Sequence, residues 1–312
     1  MNPKLTLLFV LFLGFATGLQ AQAEGDSIRW KRGGVASLGF TNAGYSDFWQ
    51  AGGIPAQSVI GRINMFGNYK DSKQSWQNDL AFAYGLARQG SSENPFIKNE
   101  DRIELNSKYG YNFSKQLLIS SQLNFRTQFA PGFKFNKNQP TTIPEDTISD
   151  FFAPAYLNFG VGVDYQPAEN ISVYYTPVNS KMTIVTIDEY RPIYIPQEIT
   201  TGAVRYELGS NLTLKYRKEV AKNINFQTTA NFFANYLENF GNVDVNWETL
   251  TTAKVNSWLA INFSTNLIYD DDIKFVVVQD DPATPNFNEE RSGPRTQFQH
   301  ILTVGLTYTF LQ

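Results

Sequence analysis

The residues best suited to acid–base chemistry lie near the end of the chain. Asp270, Asp271 and Asp272 follow one segment of alternating polarity, and His300, the single histidine among 312 residues, lies at the start of the next. If the two segments are neighbouring strands, a carboxylate and an imidazole meet at one rim of a sheet. Such a pair can activate a water molecule by general base catalysis. A hydrolase acting at that rim is therefore one hypothesis.

Three observations oppose the hydrolase hypothesis. His300 shares the parity of Leu302 and Leu306, so its side chain is expected on their apolar face. No serine or glycine-rich nucleophile motif accompanies it. Runs of aspartate are also ordinary loop residues. We therefore predict that the protein is not an enzyme, and we assign no catalytic residue.

The same acidic region offers oxygen ligands for a cation. Asp280, Asp281, Glu289 and Glu290 follow the three aspartates, and carboxylate oxygens are ligands that Ca²⁺ prefers. The spacing is not that of an EF-hand, and a solvated loop or an ion bridge to lipopolysaccharide explains these acidic residues equally well. We assign no metal site and no cofactor.

A larger set of charged residues alternates with apolar residues along several segments. Successive side chains of a β-strand point to opposite faces, so the charges of each segment share one face. The set comprises Arg102, Glu104, Lys108, Arg126, Asp164, Arg205, Glu207, Lys215, Arg217, Asp244 and Glu248. Lining a barrel, these residues would form a narrow aqueous conduit that selects solutes by charge and hydrogen bonding. Alternatively, opposite charges pair across a barrel that is too narrow to conduct.

The last segment, HILTVGLTYTFLQ, shows the alternation most clearly. Leu302, Val304, Leu306, Tyr308 and Phe310 are apolar, and small or hydroxylated residues separate them. A soluble sandwich alternates as well, so alternation alone does not select a membrane protein. The tyrosines and phenylalanines at strand ends favour a membrane protein, because aromatic girdles mark the lipid–water interfaces of outer-membrane barrels.

The connections between the alternating segments are short and long in turn. The stretches DSKQ, SKQ, PAEN, AKN and KVN form short connections, and longer ones run around Gly52, Gly90, Pro140, Pro192, Gly241 and Pro285. Short periplasmic turns and longer extracellular loops are typical of bacterial outer-membrane barrels. We predict an all-β fold, a transmembrane antiparallel up-and-down β-barrel of about 12 strands whose last strand closes against the first.

Two features of the predicted barrel have alternatives. The strand that begins at Ile171 ends near Thr176 or continues to Val185. The long loop at 130–155 either folds inward as a constriction of the lumen or stands outward as a docking surface. Loops of this length are usually functional or disordered.

The amino-terminal segment has the three-part layout of a secretory signal peptide. Lys4 precedes an apolar stretch at 5–15, and small residues follow at Ala21 and Ala23. We expect a signal peptide at 1–21, a periplasmic or lumenal segment at 22–33 and the barrel at 34–312. The absence of cysteine excludes a disulfide-stapled fold and disfavours a lipid-anchored lipoprotein. The expected location is the outer membrane of a Gram-negative bacterium.

Several stretches resemble a family of outer-membrane β-barrel proteins from Bacteroidota, domain of unknown function 3078. They are FWQAGG, GNYKDSKQSWQNDLAFAYG, DRIELNSKYGY, FRTQFAPGF, SDFFAPAYLNFGVGVDYQP, VDVNWE, LIYDDD and GLTYTF. Together they span nearly all of the chain that follows the signal peptide. The resemblance implies an outer-membrane barrel and no particular activity, so it assigns no functional residue.

The expected partners follow from location and charge. Removal of Lys4 with the signal peptide leaves 25 of the 26 basic residues against 29 acidic ones, a net charge of −4. No cluster of basic residues supports a nucleic-acid partner. We expect contact with outer-membrane lipid and lipopolysaccharide, with the barrel-assembly machinery during biogenesis and with other envelope proteins. The terminal aromatic strand resembles the insertion signal of that machinery, although Leu311 and Gln312 follow the last aromatic residue.

Two functions besides the hydrolase fit these expectations. The charged inner face favours a narrow porin-like channel or a binder of small polar solutes. If the inner charges neutralise one another, the barrel is instead a structural or accessory subunit of an envelope assembly.

Overall fold

The computed structural model describes residues 29–43, 56–90, 94–133, 147–195, 202–238, 240–272, 274–280 and 288–310. Within these ranges the chain is almost entirely β-strand. The strands are β1 (Trp30–Ala43), β2 (Ala56–Lys70), β3 (Gln74–Gln89), β4 (Ile97–Asn112), β5 (Leu117–Thr127), β6 (Gly132–Phe133), β7 (Thr147–Ser149), β8 (Ala155–Ala168), β9 (Ile171–Ile184), β10 (Val204–Ala221), β11 (Ile224–Asn235), β12 (Asp244–Lys254), β13 (Leu259–Tyr269), β14 (Lys274–Asp280), β15 (Asn288–Pro294) and β16 (Gln297–Phe310). The expected signal peptide at 1–21 lies outside the described residues.

Twelve of these strands form one closed antiparallel barrel. Their ring order is β1, β16, β13, β12, β11, β10, β9, β8, β5, β4, β3 and β2. The last strand pairs with the first, with Gly39 opposite Gly305 and Leu38 opposite Leu306. Closure leaves no unpaired strand edge, which is the condition for a sheet to cross a bilayer. The predicted fold class, strand number and closure are confirmed.

The remaining elements lie at the end of the barrel where the long connections run. Two short hairpins, β6 with β7 and β14 with β15, extend from these connections. A helical segment comprises a 3-10 turn at Asp188–Tyr190 and the helix α1 at Arg191–Tyr194. Within the described ranges, no helix has the length and apolar character needed to span a membrane.

The described parts of the long loop at 130–155 pack against the loop that follows β9. Ala153, Val185, Tyr190 and Ile195 form a buried apolar cluster between the two loops. The Tyr190 hydroxyl and the Thr147 Oγ1 are 2.5 Å apart, and the neighbouring Tyr194 hydroxyl donates to a backbone carbonyl of β7 at 3.0 Å. Two loops that connect different strand pairs therefore support each other above the barrel. Residues 134–146 lie outside the described ranges.

The outer face of the barrel is apolar and exposed. Along β16, Leu302, Val304 and Tyr308 are 60%, 48% and 70% exposed, whereas Thr303 between them is 7% exposed. A soluble fold buries its large apolar side chains, so a continuous exposed belt of this kind marks a surface that meets hydrocarbon. Near the short turns, the Trp30 ring lies 5.4 Å from Tyr69 and 6.0 Å from Trp76. These three aromatic residues form part of the interfacial girdle.

The turn between β2 and β3 is fixed by one carboxylate. Asp71 accepts hydrogen bonds of 2.8 Å from the backbone N–H groups of Lys73 and Gln74, and another of 2.8 Å from the Tyr69 hydroxyl. These hydrogen bonds, with the Lys73 N–H the largest contribution, lower the pKa of Asp71 from 3.8 to about 2.

This turn gives the barrel a defined acid sensitivity. Because the folded-state pKa is depressed, the turn contributes stability above the unfolded pKa and loses it as the pH falls through about 2. We expect the melting temperature of the wild-type barrel to fall more steeply between pH 4 and pH 2 than that of Asp71→Asn. Parallel slopes for the two proteins in thermal melts would contradict this assignment.

Barrel closure depends on close backbone approach at Gly305. A Cβ atom added there would lie 2.5 Å from the Leu38 carbonyl oxygen and 2.8 Å from the Gly39 Cα. Both are backbone atoms of β1, so they have little freedom to move away. Gly305→Ala is expected to lower the free energy of unfolding by about 1–3 kcal/mol, as overpacking does. Gly67→Ala on β2 is the matched control, since the nearest heavy atom to its added Cβ is 4.0 Å away. Equal urea midpoints for the two variants would contradict the claim that close approach of β1 and β16 at Gly305 is needed for closure.

Candidate functional site in the barrel lumen

The strand register places all eleven charged residues singled out in the sequence on the lumenal face. Residues directly opposite each other in an antiparallel pair share a face. Glu104 lies opposite Arg126, and Glu207 opposite Lys181. The ladder continues around the ring to the lumenal side of β16, where Thr303 and Gly305 face inward. Their participation in binding or passing a solute stays a prediction.

The register adds further charged residues to this face that the sequence analysis missed, among them Arg62, Asp79 and Lys181. Arg62 and Asp79 lie inward on β2 and β3, opposite Ala83 and Phe66. Their alternation with apolar neighbours was a usable signal. Lys181 lies on the upper half of β9, beyond Pro177, where the pairing with β8 is irregular. Proline has no backbone N–H to donate to a strand ladder, so Pro177 was also compatible with a strand that ends at Thr176. The alternative in which the strand continues is the one observed, since β9 ends at Ile184.

A first group of polar side chains, the periplasmic cluster, is centred on Asp164 near the short turns. Asp164 is fully buried, and its carboxylate lies 2.6 Å from the Lys108 Nζ. The Ser172 hydroxyl and the Gln166 amide donate further hydrogen bonds to it at 2.6 and 2.7 Å. Burying a carboxylate is costly unless a counter-charge and hydrogen-bond donors surround it, and these contacts supply both.

Lys108 of the periplasmic cluster also reaches across the lumen. Its Nζ lies 4.3 Å from the centroid of the Tyr174 ring, in cation–π geometry. The Tyr174 hydroxyl donates to the carbonyls of Ser120 and Gly160 at 3.0 and 3.2 Å. Lys108 belongs to β4 and Tyr174 to β9, two strands separated in the ring by β5 and β8. The contact therefore narrows the lumen near its periplasmic end.

A second group, the extracellular cluster, lies near the long loops. Its members are linked by ion pairs and by one cation–π contact, and they are Lys181, Arg205, Glu207, Phe233, Asp244 and Asp272. The Lys181 Nζ lies 3.2 Å from Glu207 and 3.4 Å from Asp244. Arg205 pairs with Glu207 at 3.3 Å and with Asp272. Because β9 and β12 are separated by two strands, the Lys181–Asp244 pair spans part of the lumen.

Asparagines line the wall between the two clusters. The Asn124 amide donates to the Asn106 Oδ1 at 2.7 Å and to the Glu104 Oε1 at 3.2 Å. Asn158 continues this chain with a longer contact of 3.5 Å to Asn124. Amide groups offer donors and acceptors without net charge. A polar solute can therefore exchange hydrogen bonds with this zone at little electrostatic cost.

Some lumenal charges are neither buried nor closely paired. Lys215 and Arg217 are exposed although the register of β10 turns them inward, and Asp79 is exposed on the wall of β3. Among the described residues, no ion pair within 4 Å involves any of these three groups. Asp79 interacts electrostatically with both cations across the lumen. Exposed charges on an inner wall require water beside them.

The structure does not bring His300 and the three aspartates together within the described residues. His300 lies opposite Thr265 on the outer face, with its ring 6.0 Å from that of Phe298. Asp272 instead pairs inward with Arg205, and Asp271 accepts a 2.5 Å hydrogen bond from the Asn242 amide. The His300 side chain therefore lies on the membrane side. Asp272 is part of the extracellular cluster, and Asp271 is hydrogen-bonded to Asn242 at its rim.

The acidic residues considered for Ca²⁺ belong to the hairpin of β14 and β15. Asp280 ends β14, and Glu289 and Glu290 lie on β15 opposite Gln279 and Val278. Asp281 lies outside the described ranges. In the described part of the chain, no group of three or more histidine, cysteine, aspartate or glutamate side chains is placed to hold a metal ion.

Solved structures that resemble this chain are outer-membrane barrels at low identity. The translocator domain of the autotransporter NalP from Neisseria meningitidis is 8% identical, covering 98% of this chain and 95% of its own, with a TM-score of 0.37. An outer membrane channel from Pseudomonas putida F1 is 9% identical, with coverages of 93% and 100% and a TM-score of 0.38. The toluene transporter TodX of Pseudomonas putida is 9% identical, with coverages of 92% and 80% and a TM-score of 0.30.

Comparison at the level of sequence yields one family. No curated protein sequence matches the chain. A family model matches residues 40–133, which begin in β1, end in β6 and contain both FWQAGG and DRIELNSKYGY. This family is described as protein of unknown function DUF3078, and the match confirms the resemblance expected from those two stretches.

Proposed function

We propose that the protein is a narrow porin-like channel, or a binder of small polar solutes, in the outer membrane of a Gram-negative bacterium. The observation that carries the proposal is the exposure of Lys215, Arg217 and Asp79 on the inner wall of the barrel. A barrel that is packed solid has no reason to keep three exposed charges that make no ion pair within 4 Å among the described residues. Water beside them provides a path or a site for a polar solute.

The two clusters set the size of solute that the proposal allows. The periplasmic cluster narrows the lumen at Lys108, and the extracellular cluster narrows it at Lys181. Between them lie the asparagine-lined wall and the exposed charges. The proposed solute is therefore small, polar and able to exchange hydrogen bonds with amides, and the clusters act as filters at the two ends.

Planar bilayers test this proposal directly. The wild-type barrel is expected to give small conductance steps. In Lys181→Met with Asp244→Asn, the side-chain bridge between β9 and β12 is absent, and the steps are expected to be larger. Lys218→Met is the matched control, because this lysine is exposed on the outer side of β10. A folded wild-type barrel with no steps and no solute flux into liposomes would refute the channel.

We keep one second function, a structural or accessory subunit of an envelope assembly. It is favoured by the ion pairs that cross the lumen, since they stabilise the wall without any solute. Its test is chemical cross-linking in intact cells followed by extraction in a mild detergent. Companion proteins that co-purify in fixed ratio support it, and a monomer without companions contradicts it. Each outcome is independent of the conductance result.

The proposal includes a route to the membrane. We propose that a signal peptide at 1–21 directs export, that 22–33 begins the mature chain and that the barrel-assembly machinery inserts the strands. Contact with outer-membrane lipid and lipopolysaccharide follows from that location. The terminal aromatic strand β16 supports this route, because every second residue from Leu302 to Tyr308 is apolar and exposed on the lipid-facing side.

A further inference from the structure

A long apolar hollow interrupts the lipid-facing side of the barrel. It has a volume of about 470 Å³ and extends over the outer face from β16 to β4. It lies between two rows of cross-strand pairs. One row runs Leu38, Gly61 and Tyr84, and the next runs Ile63 and Phe82 toward Ile103. Because strands tilt in a barrel, a row that crosses them climbs diagonally through the bilayer.

The hollow exists because two side chains are small where their neighbours are large. Gly61 has no side chain, and Ala36 in the adjoining row contributes one methyl group. Leu38 and Tyr84 on either side of Gly61 form its walls. At the upper end the Tyr84 ring lies 5.1 Å from Phe129, and both rings line the hollow there. The result is a groove with aromatic walls and a backbone floor.

We propose that this groove binds one acyl chain of a phosphate-bearing lipid of the outer leaflet. The groove opens from the exposed apolar belt, so the surrounding medium is lipid hydrocarbon. A flexible chain gains dispersion contacts with walls on both sides that a flat surface cannot give. The groove is as long as several strands are wide, which suits an extended chain rather than a compact solute.

A positively charged side chain near the extracellular end of the groove, that of Arg88, is placed to bind a phosphate group of that lipid. Arg88 lies on the same face of β3 as Tyr84 and four residues above it, about 13 Å along the strand. Its guanidinium stacks 4.7 Å from the Phe96 ring and donates to the Gln57 Oε1 at 2.5 Å. These contacts hold the guanidinium at the rim, where lipid phosphates lie. Arginine is well suited to phosphate because its planar donors match the phosphate oxygens.

The experiment compares two leucine variants on the same face of β2. An added Cβ at Gly61 lies 4.0 Å from its nearest heavy atom, and the same distance applies at Gly67. Both sites therefore accept a side chain, but only Gly61 lines the groove. We would fold each barrel in detergent, add lipid A as the probe and count bound lipids by native mass spectrometry. β-sheet circular dichroism and heat-modifiable migration would establish that each variant is folded.

The wild-type barrel and Gly67→Leu are expected to retain one lipid A molecule per barrel. Gly61→Leu should bind lipid A about tenfold more weakly, since displacing about two methylene groups at about 0.8 kcal/mol each gives that factor. Arg88→Gln should weaken binding of lipid A but not of an uncharged diacylglycerol. Equal retention by Gly61→Leu and wild type, or no retention by wild type, would overturn the proposal.

Discussion

Replacing Asp164 with asparagine is expected to lower the free energy of unfolding of the barrel by about 3–5 kcal/mol. The substitution keeps the shape of the side chain and its capacity to accept hydrogen bonds from Ser172. It removes the counter-charge 2.6 Å from the Lys108 Nζ, a group whose side chain is 14% exposed. An ammonium that has lost its partner in such a place pays a desolvation cost without compensation. Urea unfolding of the refolded barrel in detergent measures the change.

A second substitution separates the ion pair from packing. Asp164→Asn combined with Lys108→Met removes both charges, so the double variant should regain most of the stability that the single variant loses. Glu248→Gln is the matched control, because this lumenal carboxylate makes no ion pair within 4 Å among the described residues. Losses of equal size in Asp164→Asn and Glu248→Gln would contradict a stabilising role for the periplasmic cluster.

Reversing the two exposed lumenal cations is expected to change which ions pass. In Lys215→Glu with Arg217→Glu, the ratio of cation to anion permeability should rise by about fivefold or more. One unit charge about 4 Å from a passing ion is worth about 1 kcal/mol in water, which corresponds to about fivefold. Asp79 on the opposite wall loses its counter-charges in this variant, which increases the attraction for cations. The reversal potential in a salt gradient gives the ratio.

The control for selectivity lies on the same strand. Lys218→Glu reverses one charge on the outer side of β10, next to Arg217 in sequence, which is half the change of charge in the double variant. It should leave the reversal potential unchanged. If the outer and inner variants shift the potential equally, the charges act through the membrane surface rather than through the lumen, and the assignment of an aqueous path at Lys215 fails.

Local patterns in the sequence predict the barrel and the face on which each charge lies. A period of two is a property of the backbone, so Glu207 and Lys215 could be placed on one face from β10 alone. The short connections were equally clear, since Asp71 and Asn223 follow known turn chemistry. The predicted twelve strands follow because hairpin connectivity leaves few alternatives once the turns are located.

Contacts across the lumen could not be predicted in this way. Lys181 meets Asp244 because closure and strand stagger bring β9 and β12 to the same height, and neither quantity is local. The continuation of β9 beyond Pro177 could not be predicted with certainty from the sequence either, because a proline usually indicates that a strand has ended. The groove over Gly61 depends on which residues lie beside it on two other strands, so a single glycine in the sequence gave no signal.

Single cysteines along β16 test the central claim that the outer face meets lipid and the inner face meets the lumen. The chain contains no cysteine, so each introduced thiol can carry one spin label in barrels reconstituted into vesicles. Labels at Leu302, Val304 and Leu306 should collide often with oxygen dissolved in the hydrocarbon, and labels at Thr303 and Thr307 should collide rarely. Oxygen accessibility that does not alternate along this strand, or that alternates in the opposite phase, would contradict the barrel described above.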